Sequence, residues 1–473
     1  MRSGSTCFAN SYVILTRLSS SKVSPGYGVE AAKSRTWVGF MSRGMIPSRR
    51  PNDKVQLMQD DRTQYSDSGD IATDVSQRIA MVRHFASTGQ LPFFQQIDSV
   101  TPPTVSVAGR ECVLLGSNSY IGLSKHPDVI AASVKATEDF GAGTTGSRLL
   151  NGTYSLHVAL EQQIAKWLGR DGAVVFTTGY QTNVGTIQGL LGPDCLAVVD
   201  SYVHASIRDG VRLSQAVEAK FAHNDAASLA AALRSHAGTP FRRILVLVDS
   251  LYSMEGSTAP LERIIAVCKD AGAMLMVDEA HGVGVFGPTG AGLAERNGVA
   301  QEIDILMGSL SKAIGGLGGF VAASQDIVDE IRLSARSFWF STSGTPGSMA
   351  AAAAAIEVIQ GDEGRERRSR LERNARLIRE ALAPLDVALH RQDELGPDWS
   401  PIIPIRLFDE LRTALSWHKL RDAGIFVTPA IYPAVPLGKP ILRVCMTSEL
   451  SQEEVLWCAE LLTEELSWAL APA

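Results

Sequence analysis

The chain is poor in the features that would fix its class cheaply. Its six cysteines (Cys7, Cys112, Cys195, Cys268, Cys445 and Cys458) are scattered through 473 residues with no CxxC and no metal-ligand spacing. That pattern argues against a disulfide framework and against a cysteine-bound metal, and it predicts free thiols in a reducing compartment. No run approaches the roughly 18 apolar residues that a membrane-spanning helix requires. The alanine tract Met349–Ala355 is too short and too small-chained for one and predicts a closely packed helix instead. Excess positive charge is missing as well: 44 Lys and Arg against 50 Asp and Glu give a net charge of −6. No basic field points to nucleic acid or to a membrane surface. Acidic residues are scarce only at the start, where Glu30 stands alone in the first fifty residues against eight Lys or Arg. Residues 1–75 resemble a transit peptide in composition but lack a sustained helical period; a start codon assigned too early, with Met45, Met58 or Met81 as later starts, is the alternative. The segment is expected to be mostly disordered and is set outside the fold. A cytoplasmic location is expected, or a mitochondrial one if the leader is a transit peptide.

What the chain does contain is one lysine in unusual company. The stretch Met307–Phe320, MGSLSKAIGGLGGF, sets Lys312 among small residues just after the apolar run IDILMGS. A lysine is ordinarily a solvated surface charge, but at the end of a buried strand it can be desolvated and can form an imine. Thirty-four residues earlier, the run AMLMVDEAHGVGVFG carries an apolar strand straight into Asp278, followed by Glu279 and His281. A carboxylate at the end of a buried strand is costly unless it meets a cation. In pyridoxal phosphate enzymes a Lys imine is paired with an Asp that keeps the pyridine nitrogen protonated. VDEAHGVGVFG and GSLSKAIGG resemble the cofactor motifs of the α-oxoamine synthases, among the fold-type I pyridoxal phosphate enzymes, and the resemblance extends over about residues 85–465.

From Gly172 to about Ala323 the runs AVVF, LAVV, VEAKF, ILVLV, MLMV, ILMG and GFVAA alternate with helical stretches. Continuous apolar runs predict strands covered on both faces, hence a mostly parallel sheet between helix layers, with ligands at the carboxyl ends of the strands. Thr178, Gly179 and Tyr180 follow the first of these and can offer backbone N–H groups at a helix start, a cradle for phosphate. Gly141, Gly143 and Gly146 have the spacing GxGxxG, but a helical pattern rather than a strand precedes them, so the dinucleotide-binding reading is rejected. VSVAGRECVLL predicts a hairpin turning at Ala108-Gly109-Arg110. The charged run GDEGRERRSRLERNARLIREAL predicts a helix with a solvated face, not a nucleic-acid contact.

The resemblance supplies further roles. It implies that His204 stacks on the pyridine ring, that Ser253 holds the phenolic oxygen, and that His281 belongs to the catalytic set with Lys312, His204 and Asp278. It implies phosphate contacts from Ser309 and Ser311, and from Ser341 and Thr342 towards the cofactor of a second subunit. Asn118, Tyr120 and Arg443 fall at the family's substrate positions, with Arg443 taking the amino-acid carboxylate; His157 and Glu161 match the family's Gly-rich segment at the dimer interface. Taken singly, Asp249, Ser250 and Ser253 are equally well read as turn formers, and His204 and His281 as satisfied core histidines.

The fold implied is the fold-type I pyridoxal phosphate transferase: α/β, with a seven-stranded mostly parallel sheet and a small C-terminal α+β domain, as a homodimer. The division expected is a leader (1–75), an N-terminal arm (76–125), a large cofactor-binding domain (126–345) and a small domain (346–473). The reaction implied is pyridoxal 5'-phosphate-dependent condensation of an amino acid with an acyl thioester of CoA or acyl carrier protein, with loss of CO2, giving an α-amino ketone. Texture in GTTGSRLLNGTY, VVFTTGYQTN and YVHASIRDG is nearest to bacterial serine palmitoyltransferases and 8-amino-7-oxononanoate synthases; 2-amino-3-ketobutyrate CoA ligase and 5-aminolevulinate synthase activities are the alternatives. Two departures bear on the substrate: Ile431 stands where the serine palmitoyltransferases carry an arginine, and Leu450 where many members have a histidine. An aminotransferase of the same fold and a non-catalytic subunit are the more distant readings, and retention of both Lys312 and Asp278 argues against the latter. No metal site is expected.

Overall fold

A computed structural model of the chain describes residues 80, 83–84, 87, 91–385, 399–432, 434–436 and 438–470. The leader and Cys7 lie outside these residues. Gln96–Ala430 and Gly438–Leu470 form one compact unit, which carries all three sheets; Ile431–Leu437 falls outside it.

The central sheet has seven strands: β4 (Gly172–Phe176), β5 (Cys195–Asp200), β6 (Val217–Phe221), β7 (Arg243–Asp249), β8 (Met274–Asp278), β9 (Ile305–Ser309) and β10 (Gly319–Ala323). Their order is β4-β10-β9-β8-β7-β5-β6, with β10 antiparallel to both neighbours and the remaining pairs parallel. All seven apolar runs singled out from the sequence are these strands. Successive residues enter opposite cores: Leu196 and Val198 of β5 join one apolar cluster, while Cys195, Ala197 and Val199 join the other. Two-sided burial is why these strands read as unbroken apolar runs rather than as alternation. The run VEAKF is the exception: as β6 it lies at the sheet edge with Val217, Glu218 and Lys220 exposed, so it is not covered on both faces as the sequence led one to expect.

The predicted hairpin is present as β2 (Thr104–Val107) and β3 (Arg110–Leu114), turning through Ala108 and Gly109, both at positive φ (52° and 73°). Such a turn matches the right-handed twist of the strands it joins. The hairpin is part of something larger than the sequence shows. β1 (Ile97–Thr101) pairs with β2, and β12 (Ile425–Phe426), from the C-terminal part, adds in parallel to β3. A third sheet, β11 (Ile402–Arg406), β14 (Ile441–Cys445) and β13 (Thr428–Ala430), is antiparallel in the order β11-β14-β13.

The Gly-rich segment follows the helix Pro127–Phe140, as the rejection of a dinucleotide fingerprint requires. The alanine tract lies in the helix Pro346–Gln360, which approaches Pro127–Phe140 so closely that a side chain at Gly347 would strike Ser133 and Thr137. The charged run forms the helix Asp362–Ala381, its Leu371, Ala375 and Ile378 facing the core. Arg368 is the exception to its solvated face: it is buried, and its guanidinium donates to the carbonyls of Ile359 and Pro288. Cys112, Cys195, Cys268, Cys445 and Cys458 are free and buried, and burial pushes the Cys268 thiol up to about 12.

Candidate active site

The carboxyl ends of β4, β5, β7, β8 and β9 open on a cavity lined by Thr178, Gly179, Tyr180, His204, Asp278, His281, Ser309, Ser311 and Lys312. All nine were singled out in the sequence. Asn183, Ser206, Leu251, Ala280 and Met307 complete the lining and were not; Asp249, offered by the sequence as a turn former, lines it too.

One end of the cavity is an anion cradle. The chain leaves β4 and enters the helix Gly179–Leu190, whose N-cap Thr178 accepts a hydrogen bond from the Gln181 N–H at 3.1 Å. Free backbone N–H groups at this helix start, together with the aligned peptide dipoles, favour a bound anion. The hydroxyls of Ser309 and Ser311 lie 2.8 Å apart beside it. Close approach requires small residues: a Cβ at Gly319 would collide with the backbone of Gly179. The Tyr180 hydroxyl is committed elsewhere, donating to Asp209 at 2.5 Å, so this residue contributes its main chain. Ser341 and Thr342 do not line the cavity. They pack beside the helix start, where Ser341 Oγ accepts from Gln181 Nε2 (3.1 Å) and the Thr342 carbonyl accepts from Thr177 Oγ1 (2.6 Å).

The other end carries a buried carboxylate with an ordered set of donors. Asp278 Oδ1 accepts from the Ala280 N–H and Oδ2 from Asn183 Nδ2, each at 2.8 Å. Asn183 also donates to Ser206 Oγ (2.9 Å), which lies 2.7 Å from His204 Nδ1. His204 is the N-cap of the helix Ala205–Ser214, so its ring is held at Nδ1 by both the backbone and the hydroxyl of Ser206. Burial lowers the His204 pKa and so favours the neutral ring. Next to Asp278 the turn is fixed by Glu279, a buried carboxyl that accepts from Ser250 Oγ (2.6 Å) and from the N–H groups of Leu293 (3.0 Å) and Ala294 (2.7 Å).

Asp249 and Asp278 are paired neighbours at the ends of β7 and β8. Burial, and then repulsion by Asp278, pushes the Asp249 carboxyl well above the usual carboxylate range. Lys312 faces both. Burial lowers its pKa while the two carboxylates oppose the shift, so the neutral amine is more accessible than in a solvated lysine.

A third group lies beside the cavity. Arg443, buried in β14, donates to Asn118 Oδ1 (3.0 Å), to Tyr120 Oη (3.4 Å) and to the Ser253 carbonyl. Tyr120 Oη in turn lies 2.7 Å from His281 Nδ1. Asn118, Tyr120, Ser253 and Arg443 thus form a connected set that reaches the cavity through His281. Ser253 enters this set through its main chain.

Asp249, read from the sequence as a turn former, carried a stronger signal: LVLVD ends a buried run with a carboxylate as MLMVD does. Asn183 and Ser206 had none, since each is an ordinary polar residue inside a helix.

The donor set fits pyridoxal phosphate: an anion cradle, a buried carboxylate for a protonated ring nitrogen, a histidine beside it, and a desolvated lysine. Asn183 Oδ1, buried and without a hydrogen-bond partner among the described residues, adds an unused acceptor in the same wall. No group of three or more His, Cys, Asp or Glu among the described residues is arranged to hold a metal ion, and no described helix is long and apolar enough to cross a membrane.

Comparison with known proteins agrees. The family model for aminotransferase class I and II matches residues 110–461. A serine palmitoyltransferase of Caulobacter vibrioides is 40% identical over 368 residues, 78% of this chain and 89% of that protein. An 8-amino-7-oxononanoate synthase of Geobacter metallireducens is also 40% identical, over 349 residues, 74% of this chain and 87% of that one. Among solved structures, a Sphingomonas wittichii serine palmitoyltransferase superposes with a TM-score of 0.78 at 35% identity, covering 85% of this chain and 99% of the other. A serine palmitoyltransferase variant from S. paucimobilis, solved with a PLP–myriocin aldimine, gives a TM-score of 0.79 at 34% identity over the same shares. By sequence, fold and the chemistry its cavity can hold, the chain belongs to the aminotransferase class I and II family and, within it, to the pyridoxal phosphate-dependent α-oxoamine synthases.

Proposed function

We propose that the chain condenses an amino acid with an acyl thioester, releasing CO2 and a free thiol and giving an α-amino ketone. The observation that carries this reading is the convergence of Lys312 and Asp278 on one cavity whose opposite end is an anion cradle. The names of its relatives, serine palmitoyltransferase and 8-amino-7-oxononanoate synthase, support the same reaction type and leave two substrate pairs in competition.

Bound pyridoxal phosphate supplies an electron sink for the pair left at Cα. The rest falls to the chain. The backbone at Thr178–Tyr180, with Ser309 and Ser311, holds the phosphate. Asp278, whose two oxygens already accept fixed hydrogen bonds, would pair with the cofactor's ring nitrogen. His204, locked at Nδ1, is assigned to the ring face. Lys312 would hold the cofactor covalently and would serve as the base for the Cα proton, a task that a depressed pKa serves. Arg443 holds the substrate carboxylate through a two-pronged contact that only a guanidinium provides, and Asn118 and Tyr120 orient it.

A homodimer is part of this reading. Leu150 and Phe340 are 77% and 70% exposed, on the Gly-rich segment and beside the Ser341–Thr342 segment, which the Ser147–Thr342 bridge joins. A second copy covering them would bring Ser341 and Thr342 towards its own cofactor.

Mass-spectrometric product analysis with a panel of amino acids and acyl-CoAs, with and without acyl carrier protein, tests the proposal. Formation of an α-amino ketone with stoichiometric thiol release supports it and names the substrates. A keto acid formed without thiol release would make the protein an aminotransferase.

A further inference from the structure

We propose that His223, clamped between Asp200 and Ser257, is a positioning residue for the amino-acid carboxylate: it fixes the loop Leu251–Thr258, whose Ser253 carbonyl orients the Arg443 guanidinium. The inference rests on the reading of Arg443 given above.

The clamp is built from groups that the proposed chemistry does not use. His223 Nδ1 lies 3.1 Å from Asp200 Oδ1, and its Nε2 lies 2.8 Å from Ser257 Oγ. Asp200 ends β5 with no exposed surface, and it also accepts from the N–H groups of Tyr202 (2.8 Å) and Asn224 (2.9 Å). With Nδ1–H donating to Asp200, Nε2 is left to accept from the Ser257 hydroxyl. The ring is held in plane as well: Tyr202 stacks on it at a centroid distance of 4.5 Å, and Tyr252 meets it edge-on at 4.3 Å. Serine, histidine and aspartate in this order resemble a nucleophilic triad, but Ser257 is 2% exposed, so no substrate carbonyl reaches its oxygen.

The loop transmits the position. Its base closes through the Leu251–Thr258 bridge and the Tyr252 N–H donating to the Ser257 carbonyl (3.0 Å). Asn224 Nδ2 ties the Thr258 carbonyl to the same turn that bears His223 (3.0 Å). Just after the turn Ser253–Glu255, Gly256 is at φ 68° and packs so near β11 that a Cβ would collide with the Ile402 carbonyl. Ser253 opens that turn, and its carbonyl is the acceptor for Arg443 Nε. A guanidinium fixed at Nε has one rotational setting for its outer nitrogens, and these are the ones that would grip a carboxylate. Loss of the clamp frees the loop, and Arg443 loses its aim while keeping its charge.

Three variants of the holoenzyme decide it: Ser257→Ala, which removes the hydroxyl; Ser257→Thr, which keeps it; and Arg443→Lys as the reference. Amino-acid binding is read from the change in cofactor absorbance on titration, the KM for each substrate from steady-state kinetics, and loop order from amide exchange over Tyr252–Thr258. We expect Ser257→Ala to raise the half-saturating amino acid about tenfold, with the thioester KM within about twofold of wild type. Amide exchange in the loop should quicken, and Ser257→Thr should restore both. Unchanged amino-acid half-saturation in Ser257→Ala, with the expected loss in Arg443→Lys, overturns the clamp alone, whatever the melting temperature does. Unchanged half-saturation in both overturns the carboxylate role of Arg443 and the clamp with it.

Discussion

Tyr120 Oη lies 2.7 Å from His281 Nδ1, and both side chains are buried. Burial raises the pKa of the phenol, while burial and the cations Lys312 and Arg443 push the pKa of the imidazole well below its usual range. The phenol therefore keeps its proton, shared between this contact and Asn118 Oδ1 at 3.3 Å, and the neutral imidazole is held at Nδ1. One hydrogen bond thus orients the ring of a residue that lines the cavity.

Tyr120→Phe removes that hydroxyl without emptying the space. A buried ring nitrogen then loses its partner, at a cost of about 1–3 kcal/mol, and the ring is free to turn away from the cavity. Turnover should fall about tenfold or more, with cofactor affinity little changed. Turnover equal to wild type in stopped-flow and steady-state assays would mean that His281 is oriented by something else.

Lys312→Ala should give protein that lacks the visible absorbance of covalently held cofactor. Borohydride, which fixes the cofactor to wild type, should leave the variant unlabelled in intact-mass spectra. Labelling at another lysine would move the covalent site away from the end of β9.

Asp249 supplies a pH signature. Its pKa is raised above the ordinary 3.8, so the folded protein keeps a proton that the unfolded chain releases. Its contribution to stability is whole below 3.8 and is lost as pH rises through the folded value. Asp249→Asn carries no charge at any pH. The melting temperature of cofactor-free variant minus wild type should therefore grow more positive from acid to neutral pH. A difference that stays flat would show that the Asp249 carboxyl titrates normally.

Arg148 and Glu161 form a buried pair at 2.7 and 3.1 Å, with side-chain exposures of 6% and 5%. The Glu161 carboxylate also accepts from the Val175 N–H in β4 (2.9 Å) and from Arg332 (3.1 Å). Arg148→Ala leaves that charge short of a partner and should cost about 3–5 kcal/mol in denaturant unfolding. A loss below about 1 kcal/mol would mean that Arg332 alone suffices.

The local runs by themselves determined most of the central sheet. Every strand from β4 to β10 except the edge strand β6 is buried on both faces for most of its length, so its apolar run is continuous and legible without any partner. The same holds for Asp278 and Lys312: a charged residue at the end of such a run is conspicuous because its burial needs a reason. The position of Thr178–Tyr180 at a helix start was readable from the strand before it.

Tertiary structure decided what depends on residues far apart in the chain. β12 completes the N-terminal hairpin as a fourth strand, and its two residues carry no period from which a partner could be read. Asn183 and Ser206 became part of the site because two helices place their polar side chains between Asp278 and His204. Ser253 acts on Arg443 through a main-chain carbonyl, a group every residue possesses, so no side-chain motif could announce it. His223 shows the same limit: what makes it more than a loop histidine is the meeting of Asp200 and Ser257 at its two nitrogens, and only the folded chain brings those three together.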